Sequence, residues 1–587
     1  MQKFTRALSS LIAGALLLAG VLAFASFSRH EVRAAGGMFF VTPAGGGDCS
    51  QAAPCALPTA LAQAADGSTL YLAAGTYTGT GGAVLTLTQS LNVYGGWDGS
   101  ASGAVQRNPA VYVSVLDGEN ARRGVFVSGG VTVTLDGLHI TRGNATGLGG
   151  GFAGAEADAG GGVYVYTSTL TIDNCRIYSN TATTLSEGYG GGVYARSSHL
   201  TLTASTVQSN TAGTGGTYSR NYGGGIALEY SPYAWIQENT IAGNRASLNG
   251  GSWNYGGGVA FLSSEHAVLL TNTLQGNAGT LQGPGSAYGG GAGFWHSGYA
   301  RIQGNTFLEN LGSAQADGSG GGVTLDYSPH VTVTQNTFDG NVAAQGARTG
   351  GYGGGLSAYS QFLLVQGNTF AHNVACTGTR CDGEGGGANV SGDDAIIRDN
   401  RFVENTASQQ AYGYGGGLEL QGSGNVLDGN LFQDNVATLQ GEGYGGGLAL
   451  WWVGHTVLDG NILLSNTATL SPTAAGAGGG MDVHYGQALT FTNNVLVANQ
   501  ANTAGGGFSF QSNMWHPGSA ILRHTTIADN VSPSGVSLSA YTTLVFTNTI
   551  LSGHSVGITV TSGSTSTLNA TLWNNTTNWG GGGTILT

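Results

Sequence analysis

Tyr352-Gly353-Gly354-Gly355-Leu356, followed by Asn368-Thr369-Phe370-Ala371-His372-Asn373, decides how this chain folds. The pair of motifs returns along most of the sequence. Triple glycines begin at twelve positions from Gly160 to Gly505, each followed by a run of alternating apolar residues and then by a segment ending in asparagine. Those asparagines run from Asn144 through Asn180, Asn210 and Asn244 to Asn499 and Asn530, with a period of roughly 32 residues. A fixed period of this size marks a chain of stacked units, each packing only on its neighbours.

Composition agrees. Of 587 residues only 8% are charged and 106 are glycine, which suits a single globular core of this length poorly. The 41% of hydrophobic residues in regular alternation argues against disorder. Lysine occurs once, at Lys3, and the net charge is −13, so nucleic acid and anionic lipid are excluded as natural partners. Residues 1–25 resemble a secretory signal: Lys3 and Arg6 precede an apolar run, and Ala23-Phe24-Ala25 fits a cleavage site. No later segment is apolar for long enough to span a bilayer. Export would let Cys49 pair with Cys55 and Cys376 with Cys381, each across a short polar loop. Cys175 is left over at a position that other repeats fill with asparagine, and reads as a buried, inert thiol.

Residues 26–124 read as a cap with irregular first coils. Leu57, Leu61 and Ala65 share a helical stripe after Pro58, and a short helix there would cover the open end of the stack. Residues 125–550 carry the regular repeats, and 551–587 a Ser/Thr-rich end that reads as a possible truncation point. Each repeat holds three strand candidates, as in Gly322-Val323-Thr324-Leu325-Asp326, Val331-Thr332-Val333-Thr334 and Asn336 to Asn341. Three short strands per coil with no helix between them predict an all-β, parallel β-helix solenoid. Two columns set the register. A second asparagine stands five residues before the main one (Asn239, Asn272, Asn305 and onward), and an apolar side chain stands three before it (Phe307, Phe338, Phe370). Stacked about 4.8 Å apart, amides bond along the axis and rings stack.

These motifs resemble the right-handed parallel β-helix superfamily that includes pectate lyases. The repeats also resemble the Gly-Gly-Ala-(Ile/Leu/Val) and Phe-x-x-Asn units of polymorphic outer-membrane and related surface β-helix proteins. Here the third motif position is glycine, and no stretch of these 587 residues resembles the C-terminal membrane barrel of those proteins. The resemblance covers roughly residues 38–560 and implies a fold more than an activity.

A ligand of such a solenoid binds outside, because side chains fill the bore. After each triple glycine the second, fourth and fifth residues are expected to point outward. They include Tyr194, Glu229, Tyr230, Trp295, His296, Asp326, Tyr327, Tyr359, Trp451, Trp452 and Tyr485, an aromatic and acidic face suited to sugar rings. The alternative is cross-strand stacking for stability alone. A hydrolase needs two carboxylates about 5–9.5 Å apart. Glu419 and Asp482 lie two coils apart at one position, about 10 Å, with His484 beside Asp482. Ser391-Gly392-Asp393-Asp394 is similar to the Gly-Asp-Asp of polygalacturonases, without that family's other motifs. Likeness to pectate lyases implies Ca²⁺ and an Arg or Lys base. Asp428 and Asp459 stack on neighbouring coils with Arg398 one coil earlier, and are the metal candidates; a solvated polar row is the alternative. The expected function is an exported or cell-surface repeat protein that binds polysaccharide or a surface partner. A polysaccharide lyase or glycoside hydrolase, and a purely structural adhesin, are the alternatives.

Overall fold

In a computed structural model of the chain, residues 36–151, 157–185, 187–214, 219–251 and 253–587 are described. The proposed signal segment lies outside them. The chain winds into a parallel β-solenoid, the fold the repeats predict. Three long sheets line the bore: one of 17 strands that follows the glycines, a middle one of 19, and one of 17 carrying the Phe-x-x-Asn segments. Every interstrand pair among the named strands is parallel and joins one coil to the next, as in Val323↔Leu356, Val333↔Val365 and Phe338↔Phe370.

The three-strand coil expected from sequence is incomplete. After each main asparagine from Asn180 to Asn466 the chain makes an outer excursion through two further short strands, such as Thr181–Thr183 and Glu187–Tyr189, before returning at the triple glycine. These stack into outer ladders of 10 and 11 strands, from residue 157 to residue 477. They are only two or three residues long and rich in Thr, Ala, Gly and Ser, so their period-2 signal is too brief to read. Beyond Gly476–Ala477 no further strand joins these ladders, yet strand pairing along the bore continues past residue 550 to Thr584–Leu586.

Inside the bore the columns form as the register requires. Phe307, Phe338, Phe370, Phe402 and Phe432 stack 4.7–4.8 Å apart with rings within 6° of parallel. Each main asparagine from Asn180 to Asn499 sends its own backbone N–H and Nδ2 to the Oδ1 of the next. For Asn341 and Asn373 these bonds are 3.0 and 2.9 Å, and Asn341 Nδ2 also donates to the Phe307 carbonyl at 2.9 Å. Amides at these corners therefore satisfy backbone groups that a turn leaves unpaired. Asn144 does not belong to the column: Asn180 Oδ1 accepts instead from the Gly143 N–H, and Asn144 sits one position later, opposite Thr181. A serine column, Ser198 to Ser231 to Ser264 to Ser297, marks a third corner that asparagine spacing alone did not reveal.

The N-terminal end carries a helix, Leu57–Gln63, with Pro58 in its first turn and Leu57 and Ala60 buried. Cys49 is bonded to Cys55 and Cys376 to Cys381. Cys175 is buried, and desolvation raises its thiol to about 12, which keeps it protonated and unreactive. Among the described residues no helix is long and apolar enough to cross a membrane.

Candidate functional site

The outer ladders reshape the face that was expected to bind ligand. They fold back over the strands that follow the triple glycines from Gly160 to Gly478. The residue before the glycines (Tyr189, Tyr222, Tyr255, Tyr288) forms a stacked tyrosine wall with centroids 4.6–5.9 Å apart. Between wall and strand lies a second, smaller core outside the bore that contains Tyr194, Ala227 and Ala260. The outward reading of Tyr194, Glu229, Glu419 and Asp482 is therefore corrected. All four point away from the bore but are buried in this crease, because the outer excursion that covers them is invisible to strand periodicity.

The crease holds acids, each in its own setting. Glu229 accepts a bond from the Tyr194 hydroxyl and lies 3.7 Å from Arg196 Nε; burial holds its carboxyl above the usual range. Asp326 accepts from the Tyr255 hydroxyl at 2.9 Å, and burial pushes it up to about 6. Glu419 meets Glu384, whose position in the wall is held by Tyr352 and Tyr414 on the adjoining coils. Asn389 Nδ2 bridges the two, 2.9 Å from Glu419 Oε2 and 3.3 Å from Glu384 Oε2, and Gln421 Nε2 donates to Glu419 Oε1 at 3.0 Å. Desolvation comes first, and Glu384's charge second, in raising Glu419 well above its ordinary value; desolvation also raises Glu384. Two carboxyls this close disfavour ionising together, which holds the pair toward its protonated forms.

Glu419 and Asp482 do lie two coils apart, through Ala449. Their partners are separate, however, so they are not brought together as a catalytic pair. Asp482 accepts from Gln511 Nε2 at 3.0 Å, and His484 Nε2 stands 2.8 Å from Asp482 Oδ2 without hydrogen-bond alignment. His484 is instead stacked on Trp451 at 4.1 Å. The carboxylate that shares a site with Glu419 is Glu384. Its signal was present in the sequence as an acid at a position that most coils fill with tyrosine.

The metal candidates Asp428 and Asp459 stand in a row of polar side chains. Asp428 and Asp459 are paired on adjacent strands, but Asp459 Oδ1 is taken by Asn493 Nδ2 at 2.9 Å, and Arg398 Nη2 is held by Gln366 at 2.9 Å. Among the described residues no three His, Cys, Asp or Glu side chains converge as metal ligands. Asp428 is exposed and Asp459 half-buried, so both carboxylates reach solvent.

The fifth-position rings do reach solvent: Tyr230, His296, Tyr327 and Trp452 are exposed, as is Tyr359, while Trp295, Trp451 and Tyr485 are half-buried. A second exposed column was missed. Tyr233, His266, Tyr299, His330 and Phe362 stack 4.8–5.0 Å apart, one per coil, at corner residues with φ of 56–59°. Because they sit in turns, strand alternation does not mark them. Where both sets of rings stop lies a cleft of roughly 650 Å³, lined by Tyr327, Pro329, Tyr359, Gln361, Ser391, Asp393, Gln421 and Trp452. It shares Tyr359, Ser391 and Gln421 with a smaller recess that reaches Asp326, Tyr352, Glu384 and Asn389 in the crease. Ring faces, hydroxyls, amides and carboxyls thus converge here, and no Lys, Arg or His lines either space.

No curated protein matches the sequence. Among solved structures, a pectate lyase is 14% identical over 63% of this chain and 80% of its own, with a TM-score of 0.30. A tailspike protein of bacteriophage CBA120 is 12% identical over 87% and 57%, with a TM-score of 0.32. A periplasmic alginate epimerase is 9% identical over 93% and 84%, with a TM-score of 0.25. The model of the right-handed beta helix region matches residues 98–249, 161–407, 316–461 and 374–577, most of the chain. The chain belongs to the right-handed β-helix family.

Proposed function

We propose that the protein is an exported or cell-surface β-helix that binds polysaccharide on the outer face following the triple glycines. The observation that carries this reading is the cleft between Tyr327 and Tyr359 on one side and Trp452 on the other, over a floor of Ser391 and Gln421. Exposed ring faces beside hydroxyl, amide and carboxyl groups match the apolar faces and hydroxyls of sugars. Two disulfides and the leader-like first 25 residues support export.

The test is retention of the mature protein in polysaccharide affinity gels, with Trp452→Ala and Tyr359→Ala beside it. The expected result is retention that each variant weakens about tenfold, the effect of losing one well-packed ring. Equal retention of both variants would sink the site, and no retention at all would leave the structural-adhesin reading.

Hydrolysis is the second reading, favoured by one observation: Asp326 and Glu384 open onto a recess continuous with the cleft. An acid raised to about 6 can hold a proton near neutrality, as a general acid must. New reducing ends in the same samples, lost in Asp326→Asn and Glu384→Gln, would establish it.

A further inference from the structure

The cleft has a direction, and the direction follows from where rings are missing. At the fourth position after the glycines, Tyr359 pairs with Ser391, Ser391 with Gln421, and Gln421 with Trp451. The corner column that runs from Tyr233 to Phe362 stops in the same coils, where Asp394 and Gly424 occupy the left-handed corner, and an aromatic ring returns at His455. Two successive coils therefore lack rings at both positions. The strands of Tyr359 and Trp451 are three rungs apart, about 14 Å. Between them is a trench that crosses the solenoid axis.

Elsewhere the rings are unsuited to hold a sugar by its face. Within each column, ring faces are covered by the neighbours above and below: His296 on Tyr327 at 5.2 Å, His330 on Phe362 at 4.8 Å, Trp452 on Tyr485 at 4.4 Å. Tyr359 departs from this stacking, standing at 82° to Tyr327. At the trench the last ring on each side has no ring on its trench side; the columns also have open ends at Tyr233 and His296, but here two ring ends, Tyr359 and Trp452, bound one cleft. The floor adds Ser391, Gln421 and the glycines Gly392 and Gly422, which carry no side chains that would fill the trench. The flanking charge is acidic, from Asp393 here and from Asp326 and Glu384 in the adjoining recess, with no cation to balance it. A polyanionic chain would be repelled.

Building on the polysaccharide reading, we infer that the trench takes a single neutral glycan strand lying across the solenoid, between Tyr359 and Trp452, and not along the axis. The floor strand Ala388–Ser391 is four residues long, about 13 Å, so the trench spans only a few sugar units. Affinity then rises with oligosaccharide length for those few units and stops. A strand running along the axis would keep gaining contacts over many coils.

The experiment titrates neutral manno-, gluco- and galacto-oligosaccharides of increasing length, with oligogalacturonates as the acidic counterpart, into the full chain. Two kinds of variant accompany it. Ser391→Tyr and Gln421→Tyr carry the ring column across the gap and fill the trench. Tyr299→Ala removes an exposed ring outside the cleft lining, two coils before Tyr359. The expected result is neutral binding that plateaus at short lengths, falls at least tenfold in the filled variants and is unchanged in Tyr299→Ala. Thermal melting of the filled variants shows whether they stay folded, and the loss counts only in those that do. If neither filled variant folds, Asp394→Tyr, at a corner that already accepts a side chain, is the substitute. Binding that survives filling, grows with length and drops in Tyr299→Ala would overturn the transverse trench while keeping polysaccharide recognition. Preference for oligogalacturonates would overturn the neutral class, and binding to neither class would overturn the reading on which the inference rests.

Discussion

At the residue scale, a left-handed corner does not by itself demand glycine. His372 has φ of 53° and takes the same corner as Gly340, where an added Cβ would meet nothing closer than 3.6 Å. Gly353 has φ of 60°, but its Cβ would stand 2.0 Å from the Leu356 carbonyl oxygen. Gly353→Ala is expected to lower stability by at least about 1–2 kcal/mol from handedness alone, read as a shift in urea midpoint, whereas Gly340→Asn should shift it little. Asn373→Ala removes the acceptor for Asn341 and the donor for the Phe338 carbonyl, both buried. A loss of about 2–3 kcal/mol in the same measurement is expected, since unsatisfied buried groups cost more than a bond contributes. The crease acids give the protein a pH dependence of definite sign. Asp326 titrates near 6 when folded, above its ordinary value near 4. Between those values the folded state keeps a proton that the unfolded chain has released, so stability falls as pH rises through this window. Glu229 and the Glu384–Glu419 pair act in the same direction. The urea midpoint should therefore be higher at pH 4 than at pH 7, and Asp326→Asn should flatten the slope; a midpoint that rises with pH would contradict the burial of these acids.

At the element scale, two columns of stacked rings look alike in sequence and differ in energy. The phenylalanine column is wholly inside the bore, and Phe370 is fully buried between Phe338 and Phe402. Phe370→Ala is expected to cost about 3–5 kcal/mol, the loss of transfer energy plus a cavity that the stacked coils cannot close. Tyr299 stacks on His266 and His330 at similar spacing but is 52% exposed. Tyr299→Ala should shift stability by less than about 1 kcal/mol. Thermal melting of the two variants side by side separates packing that holds the fold from rings that decorate its surface. The phenylalanine column was legible in sequence because its period and its alternation agree. The exposed Tyr-His column was not, because each ring stands in a turn, where neither strand nor helix periodicity applies.

At the scale of the whole molecule, each coil touches only its neighbours, so protection from exchange should follow local column quality and not one global value. The middle coils, from Phe307 to Asn435, carry unbroken asparagine and phenylalanine columns. Past Asn530 the amide is replaced by His554 and then Asn575, and Leu572, Trp579 and Leu586 are exposed. Hydrogen exchange is expected to be slowest in the backbone amides of the middle coils and fastest after Thr542. Uniform protection along the chain would rule out this graded picture.

The amino-acid sequence alone determined the solenoid, its period, its inward columns and the helix over its first coils. Each of these is written in a repeat that must match its neighbours, and repetition makes a weak local signal strong. Only the tertiary structure decided which outward residues see solvent. Tyr194, Glu229, Glu419 and Asp482 occupy the outward phase of their strands and are nonetheless buried, because a short, weakly patterned excursion elsewhere in the same coil folds over them. The trench was decided the same way. It is an absence of rings in two coils at two positions, and only packing shows that the two positions lie in the same coils and open one cleft.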